Sequence, residues 1–253
     1  MYLGKVAVEK PSENPFAKHF SFRISYNLYE NLHGNRQRAI NINGWIKMGM
    51  EEDMRTLSVE FLGVMVVVLI ASTTESAMLT GIALGLMTSL AMGVSGAHLN
   101  PAITIAQMAM QKMEPEEGLK YIGAHIFGAF GGLLIFAHVY TGEVDIPANT
   151  AGDDIWLDIA GMMIAMLFFT IMWNATVGEG TVEGYGGMAV GVFSWLMMES
   201  TEVVMNPAPN FAASILTTSL DFSTFWMFWL ATSLGALMAF WAWDELMVIG
   251  EEE

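Results

Sequence analysis

The sequence predicts an all-α membrane protein: six transmembrane helices and two re-entrant half-helices, laid out as an inverted repeat. Three observations carry this prediction. The chain has 253 residues, 54% hydrophobic and only 14% charged, a membrane composition rather than a soluble one. The tripeptide Asn-Pro-Ala occurs twice, at Asn100-Pro101-Ala102 and at Asn206-Pro207-Ala208, each time after one apolar segment and before a shorter one. Glycines share its spacing: Gly81 and Gly85 precede Asn100 by 19 and 15 positions, as Gly187 and Gly191 precede Asn206.

Each Asn-Pro-Ala reads as a helix start. Asparagine caps an N-terminus, and proline suits the first helical position, where its missing N–H would have no partner. A helix from Asn100 to Gln111 is about 18 Å long at 1.5 Å per residue. That is roughly half a bilayer core, so the segment must re-enter the face it came from. The second half-helix is expected to follow Asn206 and to open the short apolar segment Phe211 to Leu220.

Taken in order, residues 1–55 form a polar extension with eight basic and six acidic residues. A solvated cytoplasmic arm with an interfacial piece around Phe20 to Leu32 is expected, a partner-docking segment being the alternative. Residues 56–253 are the membrane domain, repeat one over 56–141 and repeat two over 155–243. Repeat one holds spans at Leu57–Thr74, Ala77–Val94 and Leu119–Tyr140. Repeat two holds Ile155–Val177, Tyr185–Met198 and Phe222–Trp243. Glu60-x-x-Gly63 in the first span is echoed by Asp158-x-x-Gly161 in the fourth, and Gly128-Ala129 in the third by Gly235-Ala236 in the sixth. Glu60 and Asp158 are expected to be buried structural carboxylates, because a carboxylate in a membrane helix turns to the bundle interior. The Gly-x-x-x-Gly pairs let helices approach closely in lipid. Three spans per repeat is odd, so the second copy is inverted. Six spans put both termini on one side, and Lys112 and Lys120 make that side cytoplasmic.

Charge and composition exclude several classes. The net charge is −16, and residues 56–253 carry only Lys112 and Lys120 against twenty acids, which argues against nucleic acid as a partner. There is no cysteine, hence no disulfide framework. The first 40 residues lack the continuous apolar core of a cleavable signal. No nucleophile–base set, phosphate loop, metal cluster or cofactor motif stands out, so no enzyme is expected.

The inverted plan brings two half-helix N-termini together at mid-membrane, each carrying roughly half a positive elementary charge. Asn100 and Asn206 would offer side-chain donors there. The non-helical carbonyls of residues 95–99 and 201–205 are tolerable at that depth only beside a cavity. A ladder of acceptors with two central donors replaces the hydration of a neutral solute, and the converging positive ends disfavour cations.

The run Ser95-Gly96-Ala97-His98-Leu99-Asn100-Pro101-Ala102, with its second copy at Asn206 106 positions on, resembles the aquaporin and glycerol-facilitator family. The resemblance covers residues 56–253. It implies passive flux of water and small neutral solutes such as glycerol or urea through a homotetramer, one pore per subunit, in the lipid of the plasma membrane. It implies that Glu60, within Glu60-Phe61-Leu62-Gly63, holds backbone N–H groups of the re-entrant loop, and that Gly96 and His98 line the pore. The chain departs from the family at the outer selectivity ring. Pro209 stands where the family has arginine, and the other ring positions fall on Thr80, Ser194 and Val203. All four are small or medium and uncharged, so a wider ring without a fixed cation is expected. Glu202 replaces a usual glycine, and Glu199 lies three residues earlier. A solvated acidic vestibule is the expectation. The alternatives are a pore admitting ammonium or a small cation, and a non-conducting structural member plugged by Met205 or Phe211. His125 is expected to be a packed polar residue, and the methionines core filler or lipid-facing.

Overall fold

The computed structural model describes residues 37–141, 153–178, 185–201, 205–216 and 222–247. The chain divides into two compact units, Met1–Glu51 and Glu52–Glu253. Within the first, residues 37–51 are helical. The expected amphipathic piece at Phe20 to Leu32 lies outside the described residues.

The regular elements among the described residues are helices: α1 (Gln37–Thr74), α2 (Ala77–Ala91), α3 (Pro101–Ala109), α4 (Pro115–Phe136), α5 (Ile155–Trp173), α6 (Gly186–Thr201), α7 (Pro207–Leu216) and α8 (Phe222–Ala242). Helices α4, α5 and α8 each continue into a π-helical turn, Ala137–Thr141, Asn174–Gly178 and Trp243–Met247. Four stretches are long and apolar enough to cross a bilayer: Asp53–Thr74, Pro115–Thr141, Ile155–Gly178 and Trp226–Leu246. The remaining two spans, α2 and α6, have 15 and 16 residues. At about 24 Å each they fall short of a core of roughly 30 Å.

Local chemistry sets the ends. Glu75 adopts a left-handed φ of 49°, which closes α1 and leaves a two-residue turn into α2. Ser76 caps α2 through Leu79 N–H. Asp154 caps α5 by accepting from Trp156 and Leu157 N–H at 3.1 and 3.3 Å. Pro115 sits in the first turn of α4 with Glu116 and Glu117, which suits the positive end of the helix. Two expected boundaries move. The second span stops at Ala91, not Val94, because residues 95–99 leave the helix to reach Glu60. The first half-helix ends at Ala109, where Gln111 turns left-handed at φ 57°. The second begins at Pro207, directly after Asn206, since the capped Asn-Pro turn is itself the helix start.

The packing has the form of an exchange between repeats. Half-helix α3 lies against α8, the last span of the other repeat, and half-helix α7 lies against α4. The middle spans α2 and α6 pack on each other most extensively of all, and glycine is the reason. A Cβ added at Gly81 would stand 2.6 Å from Gly191 O, and one at Gly85 3.2 Å from Gly191 Cα, so the two Gly-x-x-x-Gly pairs form one crossing. In repeat one, a Cβ at Gly132 would stand 2.6 Å from Met65 O. In repeat two, a Cβ at Gly235 would strike Met163 O. Met65 and Met163 are each five residues past their repeat's carboxylate, so Gly235 pairs structurally with Gly132, one turn from the Gly128 that the sequence echo picks out.

Lys112, after α3, reaches Asp244 beyond α8 at 2.6 Å and lies over the Phe240 ring at 5.5 Å. Both ionic side chains are 34% exposed, and pairs of that kind contribute at most about 1 kcal/mol. An Asp244→Asn change is expected to lower the melting temperature by no more than about 4 °C. A fall several times larger in a detergent melting curve would contradict this.

Candidate functional site

The site is built on the loop between α2 and α3. Gly96, Ala97 and Leu99 have left-handed φ values of 81°, 52° and 48°. Glycine adopts this freely, but Ala97 and Leu99 each carry about 1–2 kcal/mol of backbone strain. Glu60 of α1 holds them there. Its Oε1 accepts from His98 N–H at 3.0 Å and from the Ser95 hydroxyl, and its Oε2 accepts from Leu99 N–H at 2.7 Å. His125 Nε2 lies 2.7 Å from the same Oε2. Ser95 Oγ also accepts from Ala97 N–H at 3.2 Å. Glu60 and His125 are fully buried. Gly63, one turn on from Glu60, leaves the room that the Leu99 side chain fills. One helix face thus fixes both the backbone and the side chain of the loop tip.

With the N–H groups committed to Glu60 and Ser95, the carbonyls point elsewhere. Tyr121 Oη donates to Ser95 O at 2.8 Å, Trp173 Nε1 to Ala97 O at 3.0 Å, and Asn206 Nδ2 to Leu99 O at 2.9 Å. The carbonyls of Gly96 and His98 have no protein donor among the described residues. The expected ladder over residues 95–99 is therefore alternating, with every second rung taken by the protein itself. His98 is buried, its Nδ1 2.9 Å from Thr104 Oγ1. Its ring lies 5.0 Å from that of Tyr121 and 5.7 Å from that of Trp173.

The two asparagines meet. Asn100 Nδ2 donates to Met205 O at 2.9 Å, and Asn206 Nδ2 donates to Leu99 O at 2.9 Å. Each Oδ1 caps its own half-helix, accepting from Ala102 N–H at 2.9 Å and from Ala208 N–H at 3.0 Å. Each asparagine thus accepts at home and donates to the carbonyl just before the other. The remaining amide hydrogens differ. Asn100 Nδ2 lies 3.9 Å from Met166 Sδ, a soft and weak acceptor. Half-buried Asn206 keeps its second N–H without a protein acceptor among the described residues. Pro101 and Pro207 open the two helices, both buried, and Ala102 and Ala208 are fully buried behind them.

The ring positions are partly described. Thr80 on α2 and Pro209 on α7 are half-buried, and Ser194 on α6 is buried. Val203 and Glu202 lie outside the described residues. Glu199 is exposed near the end of α6. Asp158, expected to be buried like Glu60, is only half-buried, because it sits in the first turn of α5 rather than inside the bundle. Phe211 packs edge-on between Phe130 and Trp229 at 6.3 and 6.2 Å, and Met205 is buried in the cluster of Ile103, Met166 and Phe169.

Tyr121, His125, Met166 and Trp173 all touch this site without having been singled out for it. Tyr121 and His125 lie one turn apart on the glycine-bearing face of the third span, a polar stripe in an apolar helix that periodicity could have flagged. Nothing in the local sequence distinguishes Met166 or Trp173 from core filler.

The family model described as Major intrinsic protein matches residues 45–243. The chain is similar to glycerol uptake facilitator protein-like 6 of Lactiplantibacillus plantarum, 25% identical over 208 residues that cover 74% of this chain and 95% of that one. The lens fiber major intrinsic protein of Rattus norvegicus is 30% identical over 183 residues, 68% of this chain and 69% of that one. Among solved structures, the aquaglyceroporin from Plasmodium falciparum superposes with a TM-score of 0.65 at 19% identity, covering 78% of this chain and 97% of that one. At that identity the likeness is one of fold.

Proposed function

Since this chain belongs to the major intrinsic protein family and is an integral, multi-pass membrane protein, we propose that it is a passive channel for water and small neutral solutes of glycerol or urea size. One observation carries the reading: the reciprocal tie between Asn100 and Asn206 brings the tips of two half-helices together. Their partial positive charges converge there and oppose a cation. The carbonyls of Gly96 and His98 and the second N–H of Asn206 offer a passing hydroxyl or amide acceptors on one side and a donor on the other. A relative named for glycerol uptake is similar to this chain, which favours glycerol within the solute range. A homotetramer in the plasma membrane with cytoplasmic termini and one pore per subunit belongs to the same proposal.

Liposome swelling with water, urea and glycerol in parallel tests it. Flux above that of protein-free liposomes is expected for all three; rates equal to the empty control would end the proposal. The outer ring yields a further expectation. Pro209 supplies neither a guanidinium nor a backbone N–H at the third helical position, where family members carry arginine. Pro209→Arg should reduce glycerol and urea flux more than water flux, because a long cation narrows the ring. An unchanged profile would remove that ring from the argument.

The same lack of a fixed cation favours a second reading, permeation of ammonium or a small cation, with Glu199 exposed at that end. Reversal potentials that follow a cation gradient would establish it, and currents no larger than those of bare bilayers would dismiss it.

A further inference from the structure

Tyr121 and Trp173 come from different spans, α4 and α5, and each donates to a carbonyl of the loop that carries the first Asn-Pro-Ala. Between them lies the His98 ring. Trp173 is 2% exposed and held on several sides. Its indole meets Phe240 edge-on at 6.1 Å, and a Cβ added at Gly178 would stand 3.0 Å from its Cζ3. Phe240 is in turn covered by Lys112. A bulky, rigid side chain is thereby fixed on Ala97 O, the carbonyl between the open ones of Gly96 and His98. The described ring positions, Thr80, Ser194 and Pro209, carry no side chain of comparable size.

We propose that Trp173, with His98 and Tyr121, forms the size-limiting constriction of the permeation path, so that solute range is set at Ala97 and not at the ring around Pro209. This rests on the channel reading above. The indole acts in two ways. Its bulk narrows the path, and its N–H removes Ala97 O from the acceptors open to solute.

Two substitutions separate these effects. Trp173→Phe deletes the donor and keeps most of the ring. Trp173→Ala deletes both. Each is reconstituted beside the wild type and the Pro209→Arg variant, and permeabilities to water, urea, glycerol and the longer polyol ribitol are measured. Size-exclusion profiles and thermal melts show that each protein is folded. Trp173→Phe is expected to raise water flux with little change in the glycerol-to-water ratio. Trp173→Ala is expected to raise that ratio several-fold and to admit ribitol, because only this change removes the bulk of the ring. Folded Trp173→Phe and Trp173→Ala proteins with wild-type solute ratios would overturn the proposal and leave the channel reading standing, as would a solute range that only Pro209→Arg alters. If Trp173→Ala does not fold, Trp173→Phe decides: unchanged water flux overturns the proposal. Wild type and all variants indistinguishable from empty liposomes would overturn the channel reading and this one with it.

Discussion

Glu60→Ala is expected to destabilise the protein by about 3–5 kcal/mol, the sum expected when several buried donors lose one acceptor. The cause is local and countable. Three donors converge on one buried carboxyl group, Ser95 Oγ, His98 N–H and Leu99 N–H, with His125 Nε2 2.7 Å from the same group. Without it, donors inside a membrane protein have no water to turn to, and each buried orphan costs about 1–3 kcal/mol. The strained conformations of Ala97 and Leu99 lose their restraint at the same time. A melting temperature lower by about 10 °C is expected in detergent, since each kcal/mol shifts a chain of this size by roughly 2–4 °C. Glu60→Gln keeps the shape and one acceptor oxygen and should fall between. A Glu60→Ala protein melting within 2 °C of wild type, an interval set from the same scale, would show that the loop is held by something else.

The second large effect is expected at the crossing of α2 and α6. A Cβ at Gly191 would meet backbone on the facing helix, striking Gly81 O and standing 2.6 Å from Gly85 Cα. Backbone atoms of a packed helix do not step aside as a flexible side chain does, so the helices themselves must part. Overpacking of this kind costs about 1–3 kcal/mol for a small group, and Gly191→Leu should exceed it and abolish a folded, monodisperse protein. Gly123→Ala is the control: a Cβ there has nothing within 4 Å, and its melting temperature should hold or rise. Equal outcomes for the two substitutions would refute close approach as the reason for glycine at position 191.

The large-scale plan was legible because it repeats. Two identical tripeptides with glycines at matching distances state both the half-helices and the crossing of their preceding spans. The expected boundaries were less exact where tertiary contact overrides local pattern. Residues 92–94 are as apolar as the helix before them, yet the helix ends at Ala91 because Ser95 is drawn to a carboxylate 35 positions upstream. His125 reads as an ordinary polar core residue until its partner, Glu60, is brought across the bundle. The alternating use of the loop carbonyls was hidden for the same reason. Tyr121 and Trp173 come from 26 and 76 residues downstream of the oxygens they bind, and no spacing rule connects them. Asp158 shows the opposite error, since a sequence echo of Glu60 does not guarantee an equal depth of burial.

The mutual asparagine tie also dictates an order of events during synthesis. Leu99 receives its donor from a residue that leaves the ribosome 107 positions later. At roughly 5–20 residues per second, that delay is about 5–20 s. Before Asn206 the turn gains partners in the order Glu60, Tyr121 and Trp173. The carboxylate in the first span is thus the earliest partner of that turn in chain order, and the second asparagine the latest.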